Sequence, residues 1–160
     1  MNTIIIYATK HGTTEKCAYM LSKKLNGRVD LHNIKSGKDP ILDRYDKVII
    51  GGSIYIGNIQ KQIKKFCFKR LKELKRKKVG LFICGMQQGT IMEAEFVAAF
   101  PPELLANSIA KESFGGEFIF KKMNPIERLI VTKTLKVYKD TSNISEESIN
   151  RFAQIINNSQ

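Results

Sequence analysis

The sequence predicts an α/β protein, a doubly wound five-stranded parallel sheet between helices in three α/β/α layers, and three observations carry that expectation. Short β-branched runs alternate with longer stretches whose apolar residues recur at helical spacing. The strand-like runs are apolar almost throughout, as suits strands covered on both faces. A length of 160 residues with 42% hydrophobic composition suits one domain, spanning 1–160, with enough apolar surface for a sizeable core.

In chain order, Thr3 to Tyr7 (TIIIY) is the first strand, and Thr14 to Leu25 follows as a helix with Cys17, Ala18, Leu21 and Leu25 on one face. Arg28 to His32 alternates more and suits a strand nearer the edge. Val48 to Ile50 is the third strand. Ile59, Ile63, Phe66, Cys67, Leu71 and Leu74 then recur as the apolar face of one helix, and Val79 to Cys84 (VGLFIC) is the fourth strand. Ile91 to Leu105 is helical but interrupted by Pro101 and Pro102. Glu112 to Phe120 reads as the fifth strand, with Gly115 and Gly116 marking a bend or bulge. Lys121 to Lys139 breaks the alternation as a basic, apolar insert, at about 121–140, that forms an extra helix. Asn143 with Glu146 three residues on resembles a capping box opening a last helix through Ile149, Phe152, Ile155 and Ile156.

Composition removes several function classes. No apolar run approaches the roughly 20 residues that cross a bilayer, and Met1 leads straight into a strand without the charged region and cleavage site of a signal peptide. A cytoplasmic protein is expected. Cys17, Cys67 and Cys84 are odd in number, widely spaced and accompanied by only two histidines, so neither a disulfide framework nor a zinc site is expected. Lys and Arg number 27 against 15 Asp and Glu, a net charge of +12 that favours an anionic partner without choosing among nucleic acid, membrane, acidic protein or carboxylate substrate.

In a doubly wound sheet, ligands sit outside the carboxyl ends of the strands, so the loops there are the place to look for chemistry. After Tyr7 come Ala8, Thr9, Lys10, His11, Gly12, Thr13 and Thr14, and then a helix begins. Hydroxyls, a glycine and free backbone N–H groups at a helix N-terminus make a cradle for a phosphate. There is no GxGxxG for a dinucleotide and no GxxxxGK[ST] for a triphosphate, which favours a mononucleotide. A receiver-type signalling domain would need acidic residues after the first and third strands, where this chain has Tyr7, Ala8, Gly51 and Gly52.

The run from Ile5 to Leu21 satisfies each specified position of the flavodoxin signature: two aliphatics, an aromatic, then Ser/Thr, Gly, Thr, Ala and an aliphatic at the required spacings. The chain thus resembles the flavodoxins, and the resemblance implies a flavodoxin-like fold with FMN as cofactor. It implies that Thr9, His11, Thr13 and Thr14, with the amides from Lys10 through Gly12 to Thr14, hold the FMN phosphate. Gly51-Gly52-Ser53-Ile54-Tyr55-Ile56-Gly57-Asn58 matches in position the loop on one side of the isoalloxazine ring. Tyr55 is its candidate stacking ring, and Ile56-Gly57 and Gly57-Asn58 are the peptides that flip in flavodoxins to present a carbonyl to the reactive ring nitrogen. Cys84-Gly85-Met86-Gln87-Gln88-Gly89 matches the second ring-contacting loop, with Met86 or backbone where better-known flavodoxins carry a tyrosine. Cys84 would lie close to the flavin there, with core packing as its other role.

Two features set the chain apart from the familiar acidic flavodoxins. Residues 61–78 carry ten Lys or Arg against Glu73 alone, and residues 121–139 carry six against Glu127 alone. The stretch from Gly115 to Lys136, together with Gly52-Ser53-Ile54 and Phe66, is similar to the flavodoxin-domain branch that contains menaquinone-dependent protoporphyrinogen oxidase. That resemblance implies a redox partner protein or quinone, a tetrapyrrole substrate gripped by its propionates, and peripheral attachment to anionic lipid at the inner face of a membrane. Electron transfer through FMN is the leading expectation, and quinone-linked porphyrinogen oxidation is the alternative. No Ser-His-Asp or paired-carboxylate constellation is identifiable, so no catalytic side chain is assigned. Nucleic acid is not an expected partner, because aromatics are not interleaved with the basic runs.

Overall fold

A computed structural model describes all 160 residues. Five parallel strands, β1 (Asn2–Tyr7), β2 (Arg28–Asn33), β3 (Lys47–Ser53), β4 (Lys78–Cys84) and β5 (Ala110–Ser113), pair in the order β2-β1-β3-β4-β5. The register sets Ile5 beside Ile49 and Ile50 beside Leu81. Alternate residues of these apolar strands therefore feed two separate cores. Ile4, Ile6, Val48, Ile50, Val79, Leu81 and Ile83 pack under α2 (Lys61–Lys69), α3 (Leu71–Leu74), α4 (Gly89–Ala99) and α5 (Pro102–Asn107). Ile5, Tyr7, Ile49, Phe82 and Cys84 pack under α1 (Thr13–Ser22) and α7 (Glu146–Asn158), where the Phe82 and Phe114 rings stack at 4.6 Å. The expected three-layer α/β/α architecture is what forms.

Several boundaries differ from the sequence reading, each for a local reason. The first helix ends at Ser22, although Leu25 still buries its side chain in a turn beyond it. The helix expected from Ile59 to Leu74 is two, α2 and α3, because Arg70 leaves the helical region at φ −106° and ψ 15°. The fifth strand begins at Ala110 and stops at Ser113. Gly115, at φ 78°, turns the chain away, and Glu117–Phe118 (β6) instead pairs antiparallel with Thr141–Ser142 (β7). Between β6 and β7 the basic stretch forms α6 (Pro125–Thr134), opened by Asn124, whose side chain accepts from Glu127 N at 2.8 Å. The last helix is capped by Ser145, accepting from Ser148 N, not by Asn143. No helix is long and apolar enough to cross a membrane.

Candidate functional site

Because β1, β3 and β4 are adjacent and parallel, the loops that follow them share one edge of the sheet. Two contacts fasten these loops together. Lys10 Nζ lies over the Tyr55 ring at 4.3 Å, and Ile54 N donates to Cys84 O at 2.9 Å.

The first loop is built around Gly12, which precedes α1 at φ 94°, a left-handed conformation that glycine adopts without a Cβ clash. Gly12 N donates to Thr9 Oγ1 at 2.9 Å, closing the loop on itself. The N–H groups of Thr9, Lys10 and His11 meet no protein acceptor, and those of Thr13 and Thr14 lie in the first helical turn, which has no earlier turn to bond. Thr14 is 0% exposed, and its Oγ1 has no partner in hydrogen-bonding geometry, its polar neighbour being the weakly bonding Cys84 thiol. A buried hydroxyl left unpaired costs about 1–3 kcal/mol. Free amides, one orphaned hydroxyl and the positive end of a helix dipole are what a phosphate monoester needs, so the residues present fit one. At the base of the helix, Tyr7 Oη donates to Glu15 Oε2 at 2.9 Å; burial, with Glu15 adding to it, pushes the Tyr7 phenol up to about 12.

In the second loop Tyr55 N and Asn58 N each donate to the other's carbonyl, at 2.9 and 3.1 Å. Its two central residues both have positive φ, Ile56 at 49° and Gly57 at 74°. A β-branched residue there is strained by about 1–2 kcal/mol. Ile56 is 65% exposed, so packing does not compensate. The loop rests on Gln60, whose Oε1 accepts from Ser53 N at 3.0 Å.

The third loop, Gly85 to Gln88, is tied by Gly85 N donating to Gly115 O at 3.0 Å and leads into Gly89, the first residue of α4. Met86, Gln87 and Gln88 line a polar cavity of about 370 Å³ shared with Glu112, Ser145 and Arg151 on the β5 side. Cys84 is buried in the α1/α7 core; hydrogen bonding to Cys17 and then burial push its thiol well above the ordinary value, so it stays protonated. Beneath Gly85, Glu95 is buried with Oε1 unpaired, and burial raises its carboxyl.

Sequence reasoning missed the groups that the segment from β6 to α6 brings to the first loop. His11 Nε2 donates to Glu127 Oε2 at 2.7 Å, and Lys10 Nζ lies 3.5 Å from Glu127 Oε1. Glu127 is 5% exposed. Burial pushes its carboxyl up, but the His11 hydrogen bond and the His11 and Lys10 charges outweigh that and hold it below the ordinary value. Glu117 receives Thr13 Oγ1 at 3.2 Å, Lys16 Nζ at 3.4 Å and Ser142 Oγ at 2.9 Å, and these likewise overcome its burial and lower its carboxyl. The signal was present: Glu127 is the one acid among the six bases of 121–139.

A family model described as a flavodoxin domain matches residues 4–145. Protoporphyrinogen IX dehydrogenase [quinone] of Escherichia coli strain K12 is 31% identical over 77 residues, covering 46% of this chain and 42% of that protein. The match thus spans less than half the length of that curated relative. The two-electron reduced flavodoxin of Megasphaera elsdenii superposes with a TM-score of 0.62 at 15% identity, over 98% of this chain and 99% of that one. A flavodoxin variant of Fusobacterium nucleatum bound to flavin mononucleotide gives 0.50 at 16% identity, over 97% and 92%. With the family model covering most of the chain, on a parallel sheet whose order is that of a flavodoxin, this chain belongs to the flavodoxin-domain family.

Proposed function

We propose that the chain is an FMN-binding redox protein whose basic act is electron transfer. The observation that carries this reading is the buried, unpartnered Thr14 hydroxyl at the head of α1, set among amides that have no protein acceptor. The hydroxyls of Thr9 and Thr14 and the amides of Lys10, His11, Thr13 and Thr14 would hold the phosphate, with the Thr13 hydroxyl turned to Glu117 and the His11 ring to Glu127, and the loops of Ser53 to Gly57 and Gly85 to Gly89 would flank the ring. When bound, FMN supplies the redox chemistry; the protein supplies orientation and tuning. The strained Ile56-Gly57 turn is suited to a peptide that changes orientation, since strain in one state narrows the gap to the other. Tyr55, with Lys10 over one face of its ring, would be the aromatic that meets the flavin. The test is the visible spectrum of purified protein and an FMN titration followed by quenching of flavin fluorescence. Saturable one-to-one quenching is expected, and protein that stays colourless and leaves added FMN fluorescent refutes it.

A second reading, quinone-linked porphyrinogen oxidation at an anionic membrane surface, is favoured by one further observation. Ile126 and Leu129 of α6 are 68% and 53% exposed, and Leu135 and Tyr138 just beyond it are exposed too, among Lys121, Arg128, Lys133, Lys136 and Lys139. Apolar side chains ringed by bases suit a surface of anionic lipid. Porphyrin formation by FMN-loaded protein with a menaquinone analogue is its assay, and no turnover removes it.

A further inference from the structure

The loop between β1 and α1 presents two of its carbonyls to ammonium groups from elsewhere in the chain. Lys35 Nζ, from the turn after β2, donates to Thr9 O at 2.9 Å. Lys122 Nζ, from the segment before α6, donates to His11 O at 3.0 Å, and a Cβ on Gly12 would stand 3.6 Å from it. Each carbonyl shares a peptide plane with a loop amide, Thr9 O with the Lys10 N–H and His11 O with the Gly12 N–H. In a trans peptide the two point opposite ways, so a cation on the oxygen polarises the N–H on the other side: for Lys35 this is the Lys10 amide, and for Lys122 it is the Gly12 amide, which donates to Thr9 Oγ1 and so strengthens that hydroxyl as a donor in its turn.

The other lysines around the cradle have carboxylate partners: Lys10 pairs with Glu127, which also receives the His11 ring, and Lys16 pairs with Glu117. Lys35 and Lys122 are left with backbone carbonyls as their partners. A phosphate monoester carries about −1.5 to −2 charges at neutral pH, and the hydroxyls of Thr9, Thr13 and Thr14 offset none of it.

We infer that Lys35 and Lys122 are positioning residues for the anionic tail of the cofactor, supplying from behind the Thr9 and His11 carbonyls the positive charge that the hydroxyl-lined loop lacks. This rests on the FMN reading and deepens it: preference for the phosphorylated flavin is set partly by a lysine of the segment between β6 and α6, outside the loop itself. The segment is thereby coupled to cofactor retention.

The experiment titrates FMN and riboflavin, by fluorescence quenching, into wild type, Lys35→Met, Lys122→Met, the double variant and the two Lys→Arg controls, at low and high ionic strength. Each methionine variant is expected to weaken FMN about two- to five-fold, and the pair about tenfold, with riboflavin unchanged. Arginine is expected to restore FMN affinity, and high salt to shrink the FMN difference. A structural disturbance confined to the loop would weaken FMN by the same factor at low and high ionic strength, and one that spread to the ring-flanking loops would weaken both flavins together. Equal weakening, or an FMN-to-riboflavin ratio that the double variant leaves unaltered, overturns the inference while the cofactor reading stands. Wild type that binds neither flavin removes both.

Discussion

Replacing Thr14 by valine separates what the cradle costs the empty protein from what it does for a ligand. Valine keeps the β-branch and nearly the same volume, so the helix start and the packing beside Cys17 and Ala18 are preserved. What changes is one oxygen, fully buried and without a partner. Removing an unsatisfied buried hydroxyl is worth about 1–3 kcal/mol, so apoprotein carrying Thr14→Val melts higher by about 2–4 °C per kcal/mol for a chain of this size. The same oxygen donating to a phosphate is a hydrogen bond to a charged group, worth about 1.5–3 kcal/mol, so FMN binding weakens by roughly 10- to 150-fold. The two effects have opposite signs. Thermal melts of apoprotein by circular dichroism read the first, and FMN titration reads the second, with Thr14→Ser as the control that keeps the hydroxyl. An apoprotein that melts lower, or an FMN affinity equal to wild type, refutes the reasoning.

Ile56→Asn, at a position with φ 49° and little packing, relieves left-handed strain and is expected to raise stability by about 1 kcal/mol; a lower melting temperature counts against the strain. Gly51→Ala is expected to cost about 1–3 kcal/mol, because its Cβ would fall inside the Phe82 ring; Phe82→Leu in that background restores part of it, and strictly additive losses in chemical denaturation refute the contact. Glu127 has a folded value below its unfolded one, near 4.3 for a free glutamate, so its ionised form stabilises the fold above about pH 4 and that contribution fades as the pH falls through the lower folded value. Glu127→Gln is therefore expected to lose about 1–3 kcal/mol at neutral pH and to flatten the acid limb of the stability curve. An acid limb that overlays wild type rejects this.

Much of the molecule was legible because its signals are local. TIIIY and VGLFIC state by composition that both faces of their strands are covered, and the threonine-glycine-threonine order after TIIIY states where the chain turns into α1. Chain breaks were less legible. In the sequence Gly115 and Gly116 mark a bend or bulge, but not that the strand expected from Glu112 to Phe120 divides there: the φ of 78° at Gly115 makes it a bend that follows the end of β5 and sends the chain into a separate hairpin. Ser145 displaced Asn143 as the helix cap: either residue type can cap, but Ser145 N is tied to the Phe114 carbonyl at 2.8 Å and α7 starts at the next residue.

Residue order alone was enough to establish the layered parallel fold, the family signature and the edge of the sheet where the three loops meet, since periodicity and strand adjacency follow from the chain itself. Which charges those loops meet was decided only in three dimensions. Glu127 lies 116 residues from His11 and Lys122 lies 111 from it, and nothing in either neighbourhood names the other. Long-range ion pairs depend on where a helix settles against the packed core, and that placement set Glu127 and Lys122 of the basic insert against the loop between β1 and α1.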